Sequence, residues 1–596
     1  MTVDVRLDGI DKGSRKIQFL LDGETIEAYD GDSIASAMIA AGRFGFRKSG
    51  NQSVRGIYCG MGICGECQVL VGKESKRACM EKVADGLVVS RHPSKRTLQV
   101  VRETSETDNS NWVELTTDVL IVGAGPGGLS AAIAASRYGL EVLIVDERAQ
   151  PGGQYFKQPS FEYRVVEEQL DRQFVAGREL IQKAEQLGVK IRSRTTVWGI
   201  FDKSTVAASS KDETLLISAN RIVLSPGAYE RPVPFPGWTL PGVVTTGAAQ
   251  TLLRAYKTVP GKRVLIAGNG PLNIQVAQEL SKAGVDVVGV VETAKSPFAS
   301  PGAGLRMMFS DFRLAMEGVR HLASLTAKRV PLHFRHVLIS ADGTDRVQSV
   351  TIARMGEDCC IVPGTEKQID VDSVCINNGF LPQSEIARAL GCEYDFGHTT
   401  GTMTARKTQD GRTNAEHVFV IGDASEFGGA RIAACQGEIA GHTIAFDLNP
   451  DSVDDKVLTR LRSKLKRHHR FQQALWSMYH APNLSLELAN PDTVICRCED
   501  LDLQTIQRHF SDGVQNLASL KKISRAGMGR CQGRYCWSML ASLRSRSVHS
   551  GAGSDFFAPR PPFKPIPLGR MAGSCGQPLQ PADLLNPDCR DDYVLP

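Results

Sequence analysis

Long apolar runs are missing from this chain of 596 residues. No stretch of about 18 apolar residues occurs without glycine or charge, which argues against a transmembrane segment. The opening residues are polar and charged and lack the apolar region of a signal peptide, so the sequence predicts a cytoplasmic protein, with peripheral attachment at the inner membrane left open. The chain also has no large excess of positive or negative charge. The net charge of +5 is small for this length and predicts no nucleic-acid partner.

Cysteine, by contrast, is plentiful, with 15 in the chain. In a sequence with no secretion signal, such a number is better explained by metal ligands and a few buried thiols than by disulfides. The length predicts roughly three to five domains, because domains contain about 100–200 residues.

Four cysteines near the N-terminus have the spacing C-x4-C-x2-C followed by a distant fourth: Cys59, Cys64, Cys67 and Cys79. This is the plant-type pattern for a 2Fe–2S cluster, and intervening glycines let the loop turn tightly around it. A zinc site would favour paired C-x2-C knuckles, which this segment lacks. Upstream, IEAYDGDSIASAMIAAG resembles the strand, turn and helix of a ferredoxin β-grasp fold.

Four more cysteines lie near the C-terminus as C-x-C and C-x4-C pairs separated by 32 residues: Cys496, Cys498, Cys531 and Cys536. The segment resembles the bacterioferritin-associated-ferredoxin type of 2Fe–2S domain, in which helices present the ligands. A structural zinc site is the alternative, because four thiolates in two pairs also suit zinc.

Between the clusters, DVLIVGAGPGGLSAAIAASRYGLEVLIVDER predicts a strand, a glycine turn, a helix and a second strand. Gly123 makes the turn, Gly125 lets the backbone approach a pyrophosphate, and Gly128 lets the helix pack on the strand. The acid that would bind the ribose hydroxyls is Asp146, with Glu147 beside it. The alternative is a dinucleotide fold that has lost its ligand.

A later segment, VFVIGDAS, supports FAD as the dinucleotide. In flavoproteins with two dinucleotide units, such a late Gly-Asp pair places an acid near the flavin ribityl chain and phosphates. Gly422 and Asp423 fit that role.

A second dinucleotide motif, RVLIAGNGPLNIQVAQELSKAGVDVVGVVET, contains Gly268 and Gly270 but has Asn273 at the third position. Asn adds a side chain where the helix should pack tightly, so the motif is a degenerate match that should retain the fold. Glu292 ends the second strand and would favour NAD over NADP. NAD binding is left open.

The redox cysteine pair of disulfide reductases with this fold is missing. No such pair follows PGGQYFKQPS or lies in the second nucleotide unit. Cys359 and Cys360 are adjacent, and vicinal cysteines seldom form an unstrained disulfide.

The predicted fold class is α/β: a flavoprotein with two dinucleotide-binding domains, an N-terminal β-grasp 2Fe–2S domain and a C-terminal helical 2Fe–2S domain. The predicted ranges are 1–105 for the ferredoxin-like domain, 106–255 and 381–450 for the two parts of the FAD-binding domain, 256–380 for the second dinucleotide domain, 451–490 for a helical connector, 491–550 for the C-terminal cluster domain, and 551–596 for a tail rich in proline and glycine.

This order, with the segments LSPGAYERPVPFPGWTLPGVVTTGAAQ and GFLPQSEIARALGC, closely resembles the α subunits of heteromeric amine and amino-acid dehydrogenases. The family includes opine oxidase, D-hydroxyproline dehydrogenase, hydrogen cyanide synthase and, less fully, heterotetrameric sarcosine oxidase. The resemblance covers nearly the whole chain. The ferredoxin, a separate small subunit in several relatives, is here fused at the N-terminus.

The resemblance implies an electron-transfer subunit that carries FAD and two 2Fe–2S clusters. The substrate C–N bond would be oxidised on an FAD-dependent β subunit, sometimes with FMN at the subunit interface, and the final acceptor would be a quinone, a cytochrome or oxygen. No catalytic base or nucleophile stands out in this chain. Two alternatives stay open: a stand-alone NADH-dependent reductase and a scaffold that has lost its flavin.

Overall fold

The computed structural model describes residues 15–93, 111–163, 171–201, 204–357, 360–397, 400–449, 455–482, 484–547, 556–567 and 571, so Cys359 and most of the predicted tail lie outside it. Inside it, no helix is long and apolar enough to cross a membrane.

The N-terminal body is a five-stranded sheet in the order β2-β1-β7-β5-β6, with one helix beside it. The first strand alternates, so that Ile17, Phe19 and Leu21 face the core. The elements are β1 (Lys16–Leu21), β2 (Glu24–Tyr29), α1 (Ile34–Ala40), β3 (Arg47–Lys48), β4 (Val54–Arg55), β5 (Gln68–Val71), β6 (Glu74–Arg77) and β7 (Val88–Arg91). The loop that carries three of the cysteines joins β4 to β5.

The first nucleotide unit is built on a long strand that pairs in parallel on both sides, with β9 and with β13. Helix α2 begins directly after the glycine turn and is buried along its length. The elements are β8 (Asn111–Val122), α2 (Pro126–Ser136), β9 (Val142–Val145), α3 (Arg172–Gln186), β10 (Lys190–Arg192), β11 (Thr196–Phe201), β12 (Thr205–Ser209) and β13 (Glu213–Leu224).

The second nucleotide unit has a parallel sheet in the order β15-β22-β16-β17-β18, and a helical hairpin is inserted before β18. The elements are β14 (Ala228–Glu230), β15 (Val243–Thr245), α4 (Thr246–Tyr256), β16 (Arg263–Gly268), α5 (Pro271–Lys282), β17 (Asp286–Glu292), α6 (Pro301–Ser310), α7 (Phe312–Ala327), β18 (Leu332–Phe334), β19 (His336–Asp342), β20 (Ser349–Arg354), β21 (Lys367–Asp370), β22 (Ser373–Asn377) and β23 (Phe380–Pro382).

The chain then returns to the first unit, where β26 adds to the sheet beside β13. Helix α9 packs closely on α2: a Cβ atom on Gly437 would lie 2.1 Å from the Gly127 carbonyl oxygen. The elements are α8 (Glu385–Ala389), β24 (Tyr394–Gly397), β25 (Thr402–Ala405), β26 (Val418–Val420) and α9 (Ala430–Leu448).

A long helix and a small helical domain end the described chain. The elements are α10 (Asp455–Met478), β27 (Val494–Cys496), β28 (Leu501–Asp502), α11 (Leu503–Ser511), α12 (Leu517–Ser524) and α13 (Trp537–Ser547). The small domain packs on the N-terminal domain at the separate β3–β4 pair, where Arg55 contacts Asp500 and the Asn51 N–H donates to Asp500 at 3.3 Å. The two cysteine-bearing domains are therefore neighbours in space. The domain boundaries given above stay predictions.

Candidate functional site

A cavity of about 370 Å³ lies between the two nucleotide units. Three helices begin at its wall: α2 after Gly125, α5 after Gly270 and α9 after Gly429. In none of these three described helices does the residue before the first turn cap it with a side chain, and α2 and α5 begin with a proline, so the N–H groups that follow in the first turn can face a ligand. Converging helix N-termini bind phosphate groups, because the N–H groups and the helix dipole both favour negative charge.

The first glycine motif leaves room at one position and none at another. A Cβ atom on Gly125 would meet only the Gly153 Cα, at 3.9 Å, on the cavity side. A Cβ atom on Gly128 would lie 1.9 Å from the Gly123 carbonyl oxygen. The space at Gly125 fits a ligand pyrophosphate, whereas the position at Gly128 is filled by the packing of helix on strand.

Two predicted acids, Asp146 and Asp423, line this cavity together. The Asp146 carboxylate accepts hydrogen bonds from the N–H groups of Ala124 at 2.6 Å and Arg148 at 2.7 Å. Asp423 accepts one from the Gly429 N–H at 2.8 Å, at the start of α9. Burial raises the pKa of both carboxyls. The backbone bonds hold each carboxylate in place at the wall.

Glu147 joins three parts of the chain at this cavity. Its carboxylate contacts Lys564 of the tail and lies 4.0 Å from the Arg77 guanidinium of the N-terminal sheet. Although burial opposes ionisation, these two cations lower its pKa to about 2. Nearby, the Phe563 N–H donates to the Trp198 carbonyl at 2.7 Å. The described part of the tail thus packs on its own chain.

Sequence reasoning missed Lys157 and Glu230, which also line the cavity. The Lys157 ammonium donates to Gln250 Oε1 at 2.8 Å. Burial, and then nearby arginines, lower its pKa to about 7. Burial raises the pKa of Glu230, which accepts a hydrogen bond from Asn377 Nδ2 at 3.0 Å. Both had a weak signal in the sequence, because Lys157 follows the PGGQY segment and Glu230 lies in the segment LSPGAYERPVPFPGWTLPGVVTTGAAQ.

The second glycine motif contributes to the same cavity through Gly270, whereas Gly268 packs against the Asn377 carbonyl. Glu292 Oε2 accepts a hydrogen bond from the Gly270 N–H at 3.0 Å, and Oε1 accepts one from the Ala294 N–H at 3.0 Å. Burial raises the pKa of this carboxyl to about 8. The Glu292 carboxyl group therefore fixes the glycine loop that precedes α5 by accepting the Gly270 N–H.

Two side chains crowd this second motif. Asn273 is buried, and its amide accepts from Thr246 Oγ1 at 2.9 Å and donates to the Asn377 carbonyl at 3.1 Å. The Trp476 ring, from α10, lies 3.7 Å from where a Cβ atom on Gly270 would stand. The asparagine replaces close packing with hydrogen bonds, and the tryptophan ring lies beside the glycine turn at ordinary contact distance.

The N-terminal cysteines are buried and grouped in pairs: Cys59 contacts Cys64, and Cys67 contacts Cys79. Burial raises the pKa of the Cys59 thiol, but hydrogen bonds from Cys64 and from the loop backbone bring it down to about 6. The Met61 N–H donates to Cys59 Sγ at 3.5 Å. A loop whose N–H groups point at sulfur favours the thiolate that iron requires.

The C-terminal cysteines pair in the same way, Cys496 with Cys536 and Cys498 with Cys531. The hydrogen bond from Cys498 lowers the pKa of Cys531 to about 7. Among the described residues no set of three or more His, Cys, Asp or Glu side chains is arranged to hold one metal ion. Two pairs of thiols per quartet fit a two-iron cluster, in which each iron takes two thiolates.

The two quartets adjoin each other. Cys498 Sγ lies 4.0 Å from the Cys64 carbonyl oxygen, and Gly65 approaches Arg530 so closely that a Cβ atom there would lie 2.9 Å from the arginine Cβ. Glu66, in the first cysteine loop, is fully buried between them. It binds Arg47 of the N-terminal domain at 3.0 Å and lies 3.6 Å from Arg497 of the C-terminal domain.

Both cysteine loops also reach the nucleotide cavity. Met61 and Ile63 of the first loop line it, and so does Arg534, which lies between two cysteines of the second quartet. The structure thus gathers one nucleotide cavity and two thiol quartets into one continuous region.

The family model for pyridine nucleotide-disulphide oxidoreductase matches residues 117–440, and that for a 2Fe-2S iron-sulfur cluster binding domain matches residues 14–94. The chain belongs to the pyridine nucleotide-disulphide oxidoreductase family. An opine oxidase subunit of Agrobacterium tumefaciens (strain Ach5) is 30% identical over 472 residues, which are 76% of this chain and 91% of that protein. Hydrogen cyanide synthase subunit HcnB of Pseudomonas aeruginosa is 30% identical over 462 residues, 75% of this chain and 97% of that one.

L-proline dehydrogenase from P. horikoshii shares the fold of this flavoprotein, with a TM-score of 0.69 at 20% identity over 95% of this chain and 99% of that one. These findings confirm the family resemblance. The chain is an FAD-dependent oxidoreductase with an N-terminal 2Fe–2S domain.

Proposed function

We propose that this chain is the electron-transfer subunit of an amine or amino-acid dehydrogenase complex, with FAD in the nucleotide cavity and a 2Fe–2S cluster on each thiol quartet. The observation that carries the proposal is the contact between both cysteine loops and the cavity. Met61, Ile63 and Arg534 line the cavity, and Cys498 lies beside Cys64. Relatives named as subunits of opine oxidase and hydrogen cyanide synthase support an amine-type donor.

The number of electrons that each cofactor transfers explains why amine oxidation and electron transfer would take place on different subunits. Oxidation of an amine releases two electrons together, iron–sulfur clusters pass one at a time, and a flavin converts between the two regimes. This chain's residues would bind and orient the cofactors: the helix N-termini hold the pyrophosphate, the thiolates hold iron, and Lys157 can gain or lose a proton in the cavity wall near pH 7. The substrate pocket would lie on the β subunit.

The test is dye reduction with N-alkyl amino acids, opines, sarcosine, proline isomers and glycine. We expect no meaningful activity from this chain alone and robust activity after mixing with an oxidase-like β chain, because electrons must cross an interface. FMN should appear among the released flavins only for the mixed complex. Robust activity from this chain alone would overturn its assignment to a complex, and activity of the β chain that does not change on mixing would make this chain dispensable.

The alternative of a stand-alone NADH-dependent reductase is less well supported. The strand-helix-strand of the second unit is intact, but Trp476 stands over Gly270 and Glu292 occupies the loop N–H groups. Rapid bleaching of the flavin by NADH would favour this alternative over our proposal.

Metal content tests the two clusters directly. We expect about four irons and four acid-labile sulfides per chain, since each quartet would hold one 2Fe–2S cluster. Cys64→Ser should remove about half of the iron, because the C-terminal thiols remain. Cys392→Ser is the matched control: this buried thiol donates to Thr413 Oγ1 at 3.5 Å, which a hydroxyl can also do. One zinc with only two irons would refute the C-terminal cluster and leave the first intact.

A further inference from the structure

A second cavity, of about 880 Å³, adjoins the nucleotide cavity and is walled by α5, α6, α7 and α10. Most of the wall is apolar and includes Met307, Leu314, Leu322, Phe334, Phe471 and Met478. A wall of this kind suits an apolar ligand, because burying apolar surface is what stabilises such a complex.

Where the two cavities meet, the polar side chains are uncharged. Tyr155, Gln173, Gln275 and Gln472 line both cavities. The Tyr155 phenol and the amides of Gln173 and Gln472 can offer O–H and N–H donors to neutral carbonyl oxygens, whereas Gln275 Nε2 already donates to Glu279 Oε1 at 2.8 Å. The end of the second cavity nearest to the flavin site is therefore suited to a ligand head with carbonyl groups and no charge.

The charged groups of this wall do not favour a nucleotide. Arg431 contacts Asp311, and Glu317 adds a negative charge. Burial lowers the pKa of His321 and of His468, which disfavours a positive charge on either ring. Arginine binds phosphates strongly when its guanidinium is free to pair with them, and this wall presents a paired arginine and an acid instead.

Away from the residues that it shares with the nucleotide cavity, the second cavity has exposed apolar side chains in its wall. Phe298 is 84% exposed and Val319 is 54% exposed, and both line the cavity. Phe309, in α6, is 83% exposed. Exposed arginines alternate with these residues along the α6–α7 hairpin: Arg306, Arg313 and Arg320. A helical surface that combines exposed aromatic and basic residues is typical of elements that lie on an anionic lipid surface.

We propose that this second cavity binds a lipid-soluble quinone, with its carbonyl ring at the four shared polar side chains and its hydrocarbon chain toward the exposed hairpin. The inference rests on the proposed function and names its electron acceptor. Each quinone would take two electrons released by amine oxidation and two protons from solvent, and would leave as the quinol. No covalent bond to the protein forms.

Binding of oxidised decylubiquinone to the full chain, measured by equilibrium dialysis, tests the site without any amine or partner chain. We expect one saturable site. Gly304→Phe should weaken binding more than about tenfold, because Gly304 lines the cavity and a Cβ atom there meets nothing within 4 Å. Gly302→Phe is the matched control on the same helix, since that position is also open but does not line the cavity.

Gln472→Leu keeps the test decisive if Gly304→Phe fails to fold, and it should weaken binding several-fold by removing a donor to the ring. Equal binding by wild type and either variant, or displacement of the quinone by NAD, would overturn the proposal. So would a Gly304→Phe protein that keeps quinone but loses the β subunit, since the partner would then cover this face. A failed dye assay with intact quinone binding would instead count against the proposed function.

Discussion

Gly125→Val is expected to purify folded but without FAD. The backbone at Gly125 is extended, with φ −79°, so any residue can adopt it. A Cβ atom there meets only the Gly153 Cα at 3.9 Å, which is ordinary contact. The protein alone therefore accepts the side chain, whereas the pyrophosphate that would fill this space cannot. The flavin absorbance per chain should fall to near zero, with the thermal midpoint measured alongside it.

Two further variants test whether Gly125→Val loses FAD because its side chain occupies the space of the pyrophosphate. Gly128→Ala should fail to fold, because its Cβ atom would lie 1.9 Å from the Gly123 carbonyl oxygen. Gly302→Val, on an open helix surface, should keep full flavin. A Gly125→Val protein with normal flavin content would show that FAD binds elsewhere.

Glu66→Leu is expected to loosen the junction between the two cluster domains. The variant leaves the buried guanidiniums of Arg47 and Arg497 without their shared carboxylate. Loss of one partner from a buried ionic group typically costs about 3–5 kcal/mol, because the remaining charge is desolvated and uncompensated. The urea midpoint for loss of cluster absorbance should fall markedly, and spin coupling between the two reduced clusters should weaken in EPR spectra.

The matched control is Glu141→Leu, which removes an exposed ion pair with Lys190. Pairs on the surface contribute little, because water and salt screen them, so the midpoint should hardly move. If Glu66→Leu behaved like this control in both measurements, the buried network would not be what joins the domains.

Most of what could be predicted about the fold and the cofactors came from short patterns in the sequence. The glycine turn with its flanking strands, the cysteine spacings and the late Gly-Asp pair are short-range features, since each needs only neighbouring residues to define its geometry. They indicated a two-unit flavoprotein with an N-terminal 2Fe–2S domain, and the family comparisons confirm the flavoprotein and its 2Fe–2S domain. Glu66 shows the limit: an acid between two cysteines of the first loop is visible, but its arginine partners from two domains are not.

The second nucleotide unit is a clearer example of contacts between distant segments that the sequence does not reveal. Asn273 marked the motif as degenerate from sequence alone. Its hydrogen bonds to Thr246 and Asn377, and the Trp476 ring over Gly270, come from segments far apart in the chain. No periodicity or spacing relates α10 to a glycine loop so much earlier in the sequence.

The sequence by itself determined the class of cofactor chemistry, because ligand spacing and glycine turns are local requirements of iron–sulfur clusters and phosphates. Only the tertiary structure decided where those parts stand. It brought two cysteine quartets from opposite ends of the chain to within 4.0 Å at Cys498 and Cys64, and set both against one nucleotide cavity. The physical reason is that apolar burial is non-directional and acts over the whole chain, so the choice of which domains pack together is made by complementary surfaces and not by any local motif.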